Sequence, residues 1–211
     1  AMSRGIVSVG SSRYYLSDSG AMAVGWAFDG TDWYYADGSG ALASGWRSVN
    51  GAWYWLDIAN DNRMVTGFFP IGSNRYHFSS TGALSLGWFM SDGDWYYAEP
   101  SNASGIVKTG WLKDGSQYYY LDPAVDGKML LGHFSVNGKS YYAKGSGAVA
   151  CREWVDVQDS VQDGPSKAFA GSDCSLCGTL RNGKLFTSNG DGELVEARGF
   201  VTLGGCIFYA D

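Results

Sequence analysis

Proline, cysteine, histidine and charge are all scarce in this chain. It holds four Pro, four Cys and two His in 211 residues, and Asp, Glu, Lys and Arg make up 17%. Ordinary soluble domains carry about 25% charged residues, and disordered chains carry more charge and few rings; 16% aromatics therefore excludes disorder. With so little proline, and no glycine at every third position, a collagen-like chain is excluded too. No apolar run approaches the ~20 residues of a membrane-spanning helix, so no membrane insertion is expected. The net charge is −6 with a pI near 4.8, and Lys and Arg form no cluster, which argues against nucleic acid or an anionic membrane surface as partner. Intrinsic catalysis finds no constellation: there is no GxSxG, HExxH or phosphate loop, and the four Glu (Glu99, Glu153, Glu193, Glu196) form no pair with a motif around it. No cofactor is expected.

What the chain has instead is glycine and rings: 31 Gly, nine Trp, 14 Tyr and 10 Phe. They are periodic. A Gly followed by a ring recurs at Gly25-Trp26, Gly45-Trp46, Gly67-Phe68, Gly87-Trp88, Gly110-Trp111 and Gly132-His133, at spacings of 20, 22, 20, 23 and 22 residues. Eight residues after each Gly begins a short segment: Trp33-Tyr34-Tyr35, Trp53-Tyr54-Trp55, Arg75-Tyr76-His77, Trp95-Tyr96-Tyr97, Tyr118-Tyr119-Tyr120 and Ser140-Tyr141-Tyr142. Turn signals such as Asn50-Gly51 and Asn137-Gly138 lie between, and this pattern predicts β-hairpins. A partial unit precedes Gly25, with Arg13-Tyr14-Tyr15. Weaker copies follow residue 150, around Gly183 and at the end of the chain. The stretch 153–164 is the one place where a short helix is entertained.

A lone hairpin of ~20 residues is at best marginally stable in water, whereas stacked repeats share a continuous core. The expected fold is therefore all-β, a solenoid of stacked β-hairpins with irregular terminal repeats. Residues 1–6 read as a lead-in with Ala1-Met2 a cloning remnant, 7–150 as the solenoid, and 151–211 as degenerate Cys-containing repeats forming a cap or second contact region. Both ends read as those of a piece of a longer protein.

Alternate residues of a strand face opposite sides. The middle residue of each segment (Tyr14, Tyr34, Tyr54, Tyr76, Tyr96, Tyr119, Tyr141, Phe186, Phe208) is always a ring, which points to packing along the stack. The two flanking positions range from Trp to Arg and Ser, as suits a face open to solvent or ligand. A small apolar position (Met22, Leu42, Met64, Leu84, Val107, Met129, Val149, Leu194) reads as core.

The units at 25–44, 87–109 and 110–131 resemble the choline-binding, or cell-wall-binding, repeats of Gram-positive surface proteins. The resemblance is close over residues 7–150 and faint over 178–211. It implies a ligand cage at each junction between hairpins, walled by the Trp of the Gly-Trp pair, the first ring of the segment, and the third ring of the next unit. One cage would use Trp26, Trp33 and Trp55, a second Trp88, Trp95 and Tyr120, and a third Trp111, Tyr118 and Tyr142. The junction after Trp46 and Trp53 meets His77 where Tyr or Trp is expected, and is left outside the set. Phe68 with Arg75, and His133 with Ser140, mark junctions lost or altered. The implied partner is choline on cell-wall teichoic acid, and the implied location is extracellular, on the cell wall. The family also implies a homodimer through terminal repeats.

Three alternatives to the choline reading stand: a cell-surface glycan stacking on the same rings, as in related glucan-binding and clostridial toxin repeats; a ligand-free spacer; and, least supported, an enzyme. All four Cys (Cys151, Cys174, Cys177, Cys206) lie beyond residue 150. Disulfides, a four-thiolate zinc site and free thiols are all open there, with three possible pairings.

Overall fold

The computed structural model describes residues 3–157, 166–181, 184–188 and 194–210. Over these residues the protein is all-β, with three single-turn 3-10 segments at Ile58–Asn60, Ser101–Ala103 and Pro123–Val125. The chain divides into two compact units, residues 1–108 and 109–211.

The first unit is a run of antiparallel hairpins: Gly5–Val9 with Ser12–Leu16, Gly25–Phe28 with Trp33–Ala36, Gly45–Val49 with Ala52–Asp57, Gly67–Ile71 with Asn74–Phe78, and Gly87–Ser91 with Asp94–Ala98. The turns follow from their residues. Asn50 and Gly51, Asp92 and Gly93, and Asn137 and Gly138 all take positive φ, the geometry of the two-residue turn that matches strand twist.

Register explains the stacking. Trp26 lies opposite Tyr35 and Phe28 opposite Trp33, so these four rings share one face of their hairpin; Ala27 and Tyr34 lie on the other. The next hairpin repeats the pattern, with Trp46 opposite Trp55, Ser48 opposite Trp53, and Arg47 paired with Tyr54 on the far face. The ring-rich face of one hairpin meets the far face of the next. Trp26 thus touches Tyr54, Trp46 touches Tyr76, and Phe68 touches Tyr96. The fold is a solenoid of stacked hairpins, and the middle Tyr is its packing residue: Tyr34, Tyr76 and Tyr96 are buried.

Backbone bonds stitch neighbours together through the segment after each hairpin. Leu42 N–H donates to the Arg13 carbonyl of the preceding hairpin, while Ala43 N–H donates to Tyr35 of its own. Leu84 with Trp53 and Val107 with Arg75 repeat the inter-hairpin bond. The small apolar position packs against a glycine of the following unit: a Cβ on Gly82 would stand 2.2 Å from Met64 Sδ, and one on Gly40 2.3 Å from Met22 Sδ. Leu42, Val107, Met129 and Val149 are buried as expected, whereas Met22 is exposed.

The second unit opens with two like hairpins, Gly110–Asp114 with Gln117–Asp122 and Gly132–Val136 with Lys139–Ala143. The pattern then changes. Glu153–Val157, Ser166–Ala170, Leu176–Arg181, Lys184–Ser188 and Leu194–Glu196 join in one five-stranded sheet, followed by a hairpin of Gly199–Leu203 with Cys206–Ala210. The helix entertained over 153–164 is a strand in its described part, because Trp154 and Val155 point to different packing groups, Trp154 against Phe169 and Phe208 and Val155 among small alanines. The rest of that stretch, and Gly183, lie outside the described residues. Cys151 and Cys174 form a disulfide, and Cys177 and Cys206 are free thiols. No group of metal-binding side chains occurs among the described residues.

Candidate functional site

Three cavities repeat one plan. In the first, Trp26 and Trp33 stand on the same face of one hairpin, their rings 6.3 Å apart and nearly perpendicular at 87°. Tyr54 of the next hairpin closes the corner, 4.7 Å from Trp26. Met64, Ser80 and Thr81 complete the lining around about 350 Å³. The second, of about 400 Å³, has Trp46 and Trp53 at 6.3 Å and 85°, Tyr76 of the next hairpin at 5.2 Å from Trp46, and Asn102, Ala103 and Ser104 on the remaining side. The third, of about 320 Å³, has Trp111 and Tyr118 on one hairpin, Tyr141 of the next at 4.8 Å from Trp111, and Ser172, Asp173 and Cys174 opposite.

The rings are held open to solvent by the scaffold. Trp33, Trp53 and Trp111 are 43%, 39% and 43% exposed, unusual for indoles in a folded chain. Their backbones are fixed by the ladder, and the Trp53 carbonyl additionally accepts from Leu84. The first two cavities have no ionised side chain in their linings. The third has Asp173, whose carboxylate accepts from Lys139 Nζ at 2.9 Å and from Ser175. These contacts hold its pKa down at about 2, so it is charged at any ordinary pH.

The structure brings Trp26 together with Trp33, and Trp111 with Tyr118, as expected, but the third wall is displaced by one residue. Tyr54 lines the first cavity where Trp55 was expected, and Tyr141 the third in place of Tyr142. The reason is strand parity: Trp55 shares a face with Trp46 of its own hairpin, 5.3 Å away, and that face is turned from the preceding hairpin. Tyr142 likewise pairs with His133 at 5.0 Å. The junction left out on account of His77 forms a cavity after all. His77 is buried, stacked 4.3 Å from Phe89 with Nδ1 2.8 Å from Ser85 Oγ, and Tyr76 supplies the wall. Of the remaining candidates, Trp88 and Trp95 stand on the last hairpin of the first unit; Tyr120 belongs to the second unit, where it stacks on Phe134 at 5.3 Å.

Two positions equivalent to Trp33 and Trp53 carry arginine instead of a ring. Arg75, in the place of Trp33 and Trp53, lays its guanidinium over Phe68 at 4.9 Å, where Tyr96 supplies the next ring. Arg13, in the same place on the first hairpin, bonds Asp61 at 3.0 Å and Asn62 at 3.3 Å. The loop residues of the cavities gave no sequence signal, since Ser, Thr and Asn read there only as turn formers.

The sequence matches the model of the putative cell wall binding repeat at residues 24–42, 44–57, 87–101 and 109–124. No curated protein matches it. Among solved structures it is similar to choline binding protein F from Streptococcus pneumoniae, at 31% identity over 82% of this chain and 57% of that one, with a TM-score of 0.69. CbpJ from Streptococcus pneumoniae TIGR4 is similar at 31% identity over 82% of this chain and 58% of that one, with the same TM-score of 0.69. The autolysin LytC from Streptococcus pneumoniae, in complex with a synthetic peptidoglycan ligand, shares the fold at 21% identity, over 97% of this chain and 50% of that one, with a TM-score of 0.52. The chain thus spans less than two thirds of the length of each of these proteins.

Proposed function

Since the chain belongs to the choline-binding, or cell-wall-binding, repeat family, we propose that the three aromatic cavities described above each hold one quaternary ammonium group, that of choline, and so attach the protein to a bacterial cell wall. The observation that carries this is the repeated corner of two perpendicular rings closed by a tyrosine from the next hairpin. A trimethylammonium group cannot donate an N–H hydrogen bond, so ring faces are its natural partners. Each face contributes ~0.5–2 kcal/mol, and three give about −4 kcal/mol, or roughly millimolar affinity. Weak sites in series suit a polymer that repeats its choline, as choline-bearing teichoic acid does. Engaging two or three residues of one strand at once raises avidity ~10²-fold or more without any new contact.

The Arg75 junction supports the same reading. A guanidinium lies over Phe68 at the position that Trp33 and Trp53 take in the open cavities, which supports ring faces as the seat of a positive charge. The module is proposed to bind and not to catalyse; any chemistry would belong to other parts of a longer protein.

A choline-agarose column tests the proposal. Retention at low salt, with release by free choline and not by glucan oligosaccharides, is the expected result. Release by the oligosaccharide alone would move the rings to sugar stacking, and flow-through without retention would leave the fold as a spacer.

A further inference from the structure

The third cavity differs from the other two in what closes it. Ser80 and Thr81, and Asn102 to Ser104, belong to the regular segments that follow the hairpins at 67–78 and 87–98. In the third cavity the same side is formed by Ser172, Asp173 and Cys174, a turn between two strands of the five-stranded sheet. This turn is not itself part of a repeat segment. Its ties are its own. Cys174 is buried with left-handed φ of 63° and packs with Tyr141, Ala143 and Val149. It is covalently joined to Cys151, which follows the 132–143 hairpin and packs on the same group. Ser172 N–H donates to Gly204, and Asp173 pairs with Lys139 at 2.9 Å.

We infer that the Cys151–Cys174 disulfide positions the wall of the third cavity, so that this cation site exists in the oxidised protein and is lost on reduction while the other two persist. The inference rests on the cage reading above and adds its regulation. Reduction by a dithiol reagent breaks the one S–S bond, delivers two electrons and two protons to give two cysteine thiols, and closes the reagent to its cyclic disulfide. Cys177 and Cys206 are already thiols, so among the described cysteines the reagent acts on this bond alone. Freed from Cys151, the turn loses its covalent tie to the segment after the 132–143 hairpin, and the apolar packing of Cys174 with the backbone bond of Ser172 no longer fixes the side opposite Trp111.

The test is equilibrium dialysis of the full chain against radiolabelled choline at saturation, oxidised and after dithiothreitol, with Trp111→Ala and the Cys151→Ser/Cys174→Ser double variant beside it. The expected result is one site fewer per chain on reduction, the same loss in the double variant, and no further loss when Trp111→Ala is reduced. Unchanged stoichiometry on reduction would overturn the inference. Loss of every site would overturn it as well, by making the bridge a general staple of the fold. Absence of bound choline in the oxidised protein would instead sink the cage reading, and this inference with it.

Discussion

The Tyr54 ring sits 4.7 Å from Trp26 and 68° out of its plane, closing a corner begun by the preceding hairpin. Tyr54 is at once a packing residue of its own hairpin and the third wall of its neighbour's cavity. Trp55, one residue on, faces the opposite way.

Truncating the two therefore has different results. Tyr54→Ala is expected to weaken choline binding at the first cavity about tenfold, the worth of one ring face of roughly 1–1.5 kcal/mol. Trp55→Phe is expected to leave that site unchanged and to lower stability instead, since Trp55 packs with Val65, Tyr76 and Phe78. Binding isotherms and denaturant melts of both variants check the pair.

Arg75→Trp is expected to add a site. It replaces the guanidinium over Phe68 with an indole in the place of Trp33 and Trp53, facing Tyr96 of the next hairpin. Choline bound per chain should rise by one. An unchanged stoichiometry would mean that Phe68 cannot substitute for the tryptophan of the other cavities.

Gly82 couples stability to the site. Its φ is +79° and a Cβ would meet Met64, which lines the first cavity. Gly82→Ala is expected to cost ~1–3 kcal/mol and to weaken the first site. Gly38, without positive φ and with nothing within 4 Å, is the control, and Gly38→Ala should be neutral or stabilising by ~0.4–1 kcal/mol. Thermal and denaturant unfolding measure both.

Burial holds the His77 pKa below its ordinary 6.5. Unfolding raises it, so the unfolded chain binds the proton more readily than the folded one. Stability from this residue is present above pH 6.5 and falls as the pH drops below that value toward the lower folded pKa. His77→Phe keeps the stack on Phe89 and is expected to flatten the stability profile between neutral and mildly acidic pH. An unflattened profile would assign the acid sensitivity to other groups.

Much of this was legible in the chain itself. Asn50-Gly51 and Asn137-Gly138 mark turns whose backbone geometry only such residues adopt easily, and the 20-to-23-residue period marks stacking. Strand alternation put Trp33 and Tyr118 on the outward face, and the pairing of Trp26 with Trp33 and of Trp111 with Tyr118 came from the family resemblance. The third wall was not legible, because which face of the next hairpin meets the first is a property of the stack, and neighbours in sequence such as Tyr54 and Trp55 point in opposite directions. The joined sheet after residue 150 was hidden for a related reason: once the Gly-ring period fades, local alternation does not say which strand pairs with which.

The central claim is tested most directly by crystals of the protein grown or soaked with choline. The account predicts trimethylammonium density in contact with the faces of Trp26, Trp33 and Tyr54, repeated at Trp46, Trp53 and Tyr76. Empty cavities at saturating choline, or density bound away from these rings, would contradict it.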